Sequence, residues 1–194
     1  MTGGRGGSAA EAGESAVTVA PAAIEAGNDA LDIGAGEAPP GTYVLVYSLP
    51  SATEITVGAL GTATFPPGAY AYVGSAFGSN GLGRVDRHRR VAGGSHDVTH
   101  WHIDYFGGHQ GTTLEAVVAA PHADAECRLA AELRELVGSI PIESDASDRP
   151  HPPEDRPLDG FGASDCACPT HLVGGGEIET LRSRVLDAFR RIER

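Results

Sequence analysis

Apolar and polar positions change rhythm several times along this chain, and each change predicts an element. Beginning at Gly41, TYVLVY reads as a strand. ITVGAL and TATF follow, joined at Gly61-Thr62 in the pattern of a β-hairpin. Pro66-Pro67-Gly68 predicts a turn and AYAYVG the next strand. The loop Gly78-Ser79-Asn80-Gly81 precedes a helix that presents Leu82 and Val85 inward and ends at Gly93-Gly94. THWHIDYF alternates, with Trp101, Ile103 and Tyr105 on one face and His100, His102 and Asp104 on the other, which predicts a strand. LEAVVAA is a short apolar strand, and Asp124 reads as the N-cap of a helix with the stripe Glu126, Leu129, Ala130, Leu133, Leu136 and Val137.

Two stretches break this order. Residues 1–40 are Gly/Ala/Glu-rich without apolar periodicity, the composition of a disordered acidic tail. Residues 138–160 are rich in Pro and acids and predict a mobile insert. At the far end, Ile178, Leu181, Val185, Phe189 and Ile192 line one face of a helix. The expected fold class is α/β (α+β), a small, mainly antiparallel sheet with flanking helices over 41–173. An amphipathic helix over 174–194 follows, open to docking by a protein partner.

Charge changes the picture in one respect. All 14 basic residues are Arg, and the formal net charge is −12. Such an acid excess resembles proteins of salt-adapted organisms, where carboxylates keep the surface hydrated; a GC-rich genome explains the missing Lys but not the acids. Acidity argues against a nucleic-acid partner, because cationic contacts supply non-specific affinity. Its distribution removes the objection. Residues 1–40 carry one Arg against six acids and residues 138–160 two against six, which leaves the remainder close to neutral. Within it Arg84, Arg87, Arg89 and Arg90 stand together against Asp86. In molar salt the Debye length is about 3 Å, so contact charges outweigh net charge. No apolar run approaches a membrane span and the N-terminus lacks a secretory pattern, so a cytoplasmic location and no membrane partner are expected.

Candidate chemistry concentrates in YVGSAFGSNGLGRVDRH, residues 72–88. Glycines such as Gly74 let backbone approach a ligand closely. On a helix Arg84, Arg87 and His88 project from adjacent turns, and guanidinium forks match phosphate oxygens. The plainer reading is a solvated basic helix.

With GTYVL, YVGSA, RHRR, HWHIDY and GFGASDCACPTHL in order, the chain resembles the GIY-YIG nuclease superfamily, closest to its Uri-type endonuclease branch, from about Gly41 to Leu172. Gly41-Thr42-Tyr43 and Tyr72-Val73-Gly74 stand for the two strand motifs. The gap between them is longer than the superfamily's usual spacing. The resemblance implies a metal-dependent endonuclease that hydrolyses DNA phosphodiesters in repair or defence, with Mg²⁺ or Mn²⁺ as cofactor. Tyr43 and Tyr72 would activate or orient the attacking water, Arg84 would bind the scissile phosphate, and His88 would assist proton transfer or contact phosphate. Gly74, Ser75, Arg87, Arg89 and Arg90 would contact the nucleic acid. The family's acidic metal ligand corresponds to Glu126. Its place on an apolar stripe supports that role, because an inward carboxylate is costly unless paired; an ordinary first-turn acid favoured by the helix dipole is the other reading.

Further residues stay open between structure and chemistry. His100, His102, Cys166, Cys168 and His171, with Cys127, are candidates for a structural or second metal site holding Zn²⁺. Alternatively His100 and His102 bond to the GFGASDCACPTHL loop, and Asp104 supports the catalytic group. Two other functions remain: a non-catalytic nucleic-acid-binding module of the same fold, and a zinc-stabilised interaction domain.

Overall fold

A computed structural model describes residues 16–96, 99–138, 143–144 and 159–194. Its centre is an antiparallel five-stranded sheet in the order β1 (Val17–Val19), β6 (Thr113–Pro121), β2 (Gly41–Leu49), β5 (Gly68–Ser75) and β8 (Leu172–Gly174). The short strands β3 (Thr53–Thr56), β4 (Thr62–Phe65) and β7 (Glu143–Ser144) form a second, three-stranded sheet. The expected α+β class with a mainly antiparallel sheet is what the chain adopts.

Strand β2 is apolar at nearly every position because both of its faces are covered. Tyr43, Leu45, Tyr47 and Leu49 point to one side with Tyr70 and Tyr72, where they meet Leu82, Val85, Ile103, Phe106 and Phe161. Val44 and Val46 point to the other with Ala71 and Val73, against Leu129, Leu133, Leu181, Val185 and Phe189. The first layer comprises a 3₁₀ turn, Gly81–Gly83, running into α2 (Arg84–Ala92), and then α3 (His102–Gly107). The second comprises α4 (Glu126–Val137) and α5 (Ile178–Ile192).

Three expectations are corrected. Residues 16–40 are not a disordered tail: β1 pairs with β6, Pro21–Glu25 forms α1, and Ile24, Leu31 and Ile33 are buried. Little apolar periodicity is needed there, because Asp29 organises the loop by accepting the N–H groups of Leu31, Ile33 and Gly34. THWHIDYF is not a strand. Its period-2 alternation conceals an i, i+3 pair, Ile103 and Phe106, buried from one short helix. Asp104 reaches back to the N–H groups of His100 and Trp101 and secures the start of that helix.

Asp124 does not cap α4; the N-cap is Ala125, whose N–H donates to Thr42 Oγ1. The apolar stripe of the 174–194 helix faces α4 and the sheet, with Leu181, Val185, Ala188 and Phe189 buried. The 138–160 insert lies outside the described residues apart from Gly138, Glu143, Ser144, Asp159 and Gly160. Among the described residues no helix is long and apolar enough to cross a membrane.

Candidate active site and thiol cluster

Three elements converge on one cleft of about 210 Å³, lined by Tyr72, Arg84, His100, Trp101, His102, Glu126, Gly162, Ser164 and Asp165. Tyr72 arrives from β5, Arg84 from the first turn of α2, and Glu126 from the first turn of α4. Arg84 is anchored through Nη1, which donates to the Ser75 carbonyl at 2.7 Å, and its guanidinium lies 5.0 Å from the Trp101 ring centroid. It also borders an adjoining hollow with Gly78, Ser79, Asn80, Arg87 and Trp101. Trp101 and Phe77 are the exposed large hydrophobic side chains among the described residues. An aromatic face beside the Arg84 and Arg87 guanidinium groups suits a stacking base.

Behind the cleft runs a buried polar chain. His88 Nδ1 lies 3.1 Å from Asp104 Oδ1, and His88 Nε2 lies 3.0 Å from Tyr43 Oη. Desolvation lowers the His88 pKa, although Asp104 pulls the other way, so the imidazole is neutral near pH 7. It then donates from Nδ1 to the carboxylate and accepts the Tyr43 hydroxyl at Nε2. Burial raises the Tyr43 pKa well above that of an ordinary phenol, with Arg84 as the main opposing influence, so the hydroxyl keeps its proton. Asp104 also accepts both Arg87 Nη groups, at 3.0 and 2.8 Å. Burial would raise its pKa, but bonds from His88, Arg87 and the His100 and Trp101 N–H groups overcome that and hold the carboxyl far below the usual range.

Stability should therefore fall in acid, in two stages. The folded pKa of His88 lies below its unfolded value of about 6.5, so the unfolded chain binds more protons as pH falls through that region. Asp104 adds a second loss below about pH 4, where the unfolded carboxylate becomes protonated first. Thermal melts at moderate salt from pH 8 to pH 3 check this; a melting temperature unchanged between pH 7 and pH 5 refutes the His88 part.

Gly74 contributes to this chain through its missing side chain. It pairs with Tyr43 across β2 and β5, and a Cβ there would fall 2.5 Å from Tyr43 Oη. Its role is to admit the Tyr43 ring. Gly74→Ala should cost about 1–3 kcal/mol through overpacking, read as a lower urea midpoint with an unchanged slope.

Beside the cleft, Cys127, Cys166, Cys168 and His171 place their ligand atoms within 4.8 Å of one another and could hold a metal ion. Cys166 Sγ lies 3.4 Å from His171 Nε2 and accepts the Cys168 N–H at 3.4 Å. Burial, with the neighbouring thiols, pushes the Cys168 thiol up to about 12. The opposite nitrogen of His171, Nδ1, faces Glu126 Oε1 at 3.4 Å.

A family model described as a domain of unknown function, DUF123, matches residues 42–194. The chain belongs to this family. No curated protein and no solved structure matches it. The DUF123 match takes in every residue of the cleft and of the thiol cluster, while β1 and α1 precede it.

Within this DUF123 domain, Tyr72, Arg84 and Glu126 meet in the cleft together with His100 and His102. Tyr43 and His88 are buried behind it and bonded to each other. Ser75 enters through its carbonyl, which holds Arg84. Arg87 braces Asp104, while Arg89 pairs with Asp86 and Glu25, and Arg90 with Asp86. The cationic group is therefore more heavily opposed than the local sequence indicated. His102 takes the expected loop contact, its Nδ1 accepting the Gly162 N–H at 3.1 Å, whereas His100 and His102 stand apart from the thiol cluster. Cys166, Cys168 and His171 do come together, joined by Cys127.

Sequence reading passed over Trp101 and Asp165, and offered Asp104 only as one alternative. The signal for Asp104 was its place four residues after His100 and three after Trp101, the offset of an acid that secures a helix start. Trp101 carried no local signal, since its exposure depends on how α3 sits against α2.

Proposed function

We propose that this chain is a metal-dependent endonuclease of the Uri-like GIY-YIG type that hydrolyses DNA phosphodiesters. The observation that carries the reading is the meeting of Tyr72, Arg84 and Glu126, from three elements far apart in sequence, in one cleft. Motif resemblance nominated the same three residues without reference to their positions in space.

The donors at the cleft suit a hard divalent cation such as Mg²⁺ or Mn²⁺. Glu126 is 22% exposed and Asp165 lines the same wall, so carboxylate oxygens are available while room remains for water and substrate oxygens. When bound, such a cation supplies Lewis-acid polarisation of the phosphoryl oxygen and lowers the pKa of bound water. Glu126 is the residue that would hold it. Arg84 binds a non-bridging phosphate oxygen and offsets the charge that grows as water oxygen bonds to phosphorus and the ester P–O bond breaks. Tyr72 orients the attacking water through its hydroxyl, because burial raises its pKa and it keeps its proton at neutral pH. Tyr43, His88 and Asp104 hold the α2 face against the sheet, with Tyr43 and His88 as positioning residues behind Arg84 and Tyr72.

The experiment is nicking of supercoiled plasmid and of branched DNA by the full chain with Mg²⁺ or Mn²⁺, at low and high salt. Metal-dependent cleavage supports the reading. Binding without cleavage in any divalent metal would instead identify a non-catalytic nucleic-acid-binding module.

For the thiol cluster the reading is zinc. Three thiols and one imidazole form a soft donor set, and Cys₃His is a common tetrahedral zinc arrangement. Elemental analysis of the purified chain tests it, with one zinc per chain expected.

A further inference from the structure

We propose that the thiol cluster is a metal centre whose histidine ligand also orients Glu126, so that ion binding at the cluster tunes cation affinity in the cleft. The link rests on the readings of the cluster as a zinc site and of Glu126 as the carboxylate that holds the catalytic cation.

The two sites share residues and backbone. Cys127 follows Glu126 directly in the first turn of α4, so a force that fixes the thiol also fixes the carboxylate's main chain. His171 is fully buried and bifunctional. Its Nε2 points at Cys166 Sγ, 3.4 Å away, on the cluster side. Its Nδ1 is a buried side-chain atom without a hydrogen-bond partner among the described residues, and it faces Glu126 Oε1 at 3.4 Å. That distance is longer than a well-formed N–H···O bond of about 2.9 Å, so one small adjustment would close it.

Metal ligation supplies the adjustment. Around zinc, thiolate sulfurs at about 2.3 Å from the ion lie about 3.8 Å from one another. The four ligand atoms here lie within 4.8 Å of one another, wider than that spacing allows, so coordination would draw the set, Cys127 and His171 included, in around the ion. Nε2 ligation leaves the proton on Nδ1, and a ligating histidine commonly donates that proton to a carboxylate. Glu126 is the carboxylate in place to receive it. Fixing one of its oxygens would leave the other directed into the cleft, where Arg84 and Tyr72 stand.

The coupling must run both ways. In the first arm, zinc affinity of the full chain and of Glu126→Gln is measured by competition with a chromophoric chelator, with circular dichroism to confirm folding. Loss of the carboxylate partner should weaken zinc binding by about 10-fold. In the second, Mn²⁺ is titrated by electron paramagnetic resonance into zinc-loaded and zinc-stripped parent chain. The stripped chain should bind Mn²⁺ about 10-fold more weakly. Equal zinc affinity in parent and Glu126→Gln overturns the link, whatever the chain does to DNA. Equal Mn²⁺ affinity with and without zinc, in a chain that stays folded, overturns it as well. Should stripping unfold the chain, the first arm decides, since unfolding on zinc loss is common to parent and Glu126→Gln and drops out of the ratio of their zinc affinities. A parent chain that binds no Mn²⁺ at all overturns the cleft reading, and with it the tuning of that site, while the first arm still decides whether His171 holds Glu126.

Discussion

Arg84→Ala is expected to slow DNA cleavage by about 10²–10³-fold, the usual loss when one preorganised charge donor is removed from a developing anion. Arg84 is held by the Ser75 carbonyl at one nitrogen and lies beside Trp101, so its direction is set before substrate arrives. A lysine would keep the charge but lose the fork, so Arg84→Lys should recover only part of the rate. Glu126→Gln should be at least as damaging and should differ in kind. It removes the carboxylate charge that would hold the cation, so raising Mg²⁺ or Mn²⁺ should recover some activity, whereas Arg84→Ala should not respond. Supercoiled-plasmid nicking across a metal titration separates the two. Cleavage that survives in both variants at the parental rate would remove the proposed mechanism.

The largest effect on stability is expected at Asp104. Its carboxylate is fully buried and accepts from Arg87, from His88 and from the His100 and Trp101 backbone N–H groups. Removing one partner of a buried pair strands the other, which costs about 3–5 kcal/mol. Arg87 is partly exposed and can turn toward water, so Asp104→Ala should fall near the lower figure, about 3 kcal/mol. Urea denaturation gives the value directly. The variant should also lose most of the second stage of acid destabilisation, because the carboxyl that produces it is gone. A loss below about 1 kcal/mol would mean that the chain from Tyr43 to Asp104 contributes no more than an exposed ion pair.

Much of the framework was legible because strong periodicity and punctuation agreed. The strand beginning at Gly41, the AYAYVG strand, the helix bounded by Gly81 and Gly93, and both long amphipathic helices follow from apolar spacing and from glycine positions. THWHIDYF misled because six helical residues are too few to display a 3.6-residue period, so alternation was the stronger local pattern. Residues 16–40 misled for another reason: their order comes from pairing with β6 and from the Asp29 loop, and neither contact leaves a periodic trace. In the cleft, Tyr72, Arg84 and Glu126 could be named from motifs, but the partition of roles could not. Tyr43 and His88 belong to a buried chain only because α2 packs on the face of the sheet from which Tyr43 projects. The pairing of Arg87 with Asp104 and that of Arg89 with Glu25 likewise depend on α3 and α1, which bring those carboxylates to the helix.

Strand β1 occupies the outer edge of β6 and lies ahead of the region that defines the family. The segment leading on from it also touches the turn that opens α2, since the Leu82 N–H donates to the Pro39 carbonyl. A chain cut at residue 41 would leave β6 as a bare edge beside an apolar face, open to pairing with the same edge of another copy. Such a fragment would suffer first in solubility and only then in chemistry, because the residues that protect the sheet from its neighbours come earlier in the chain than those that give the domain its family.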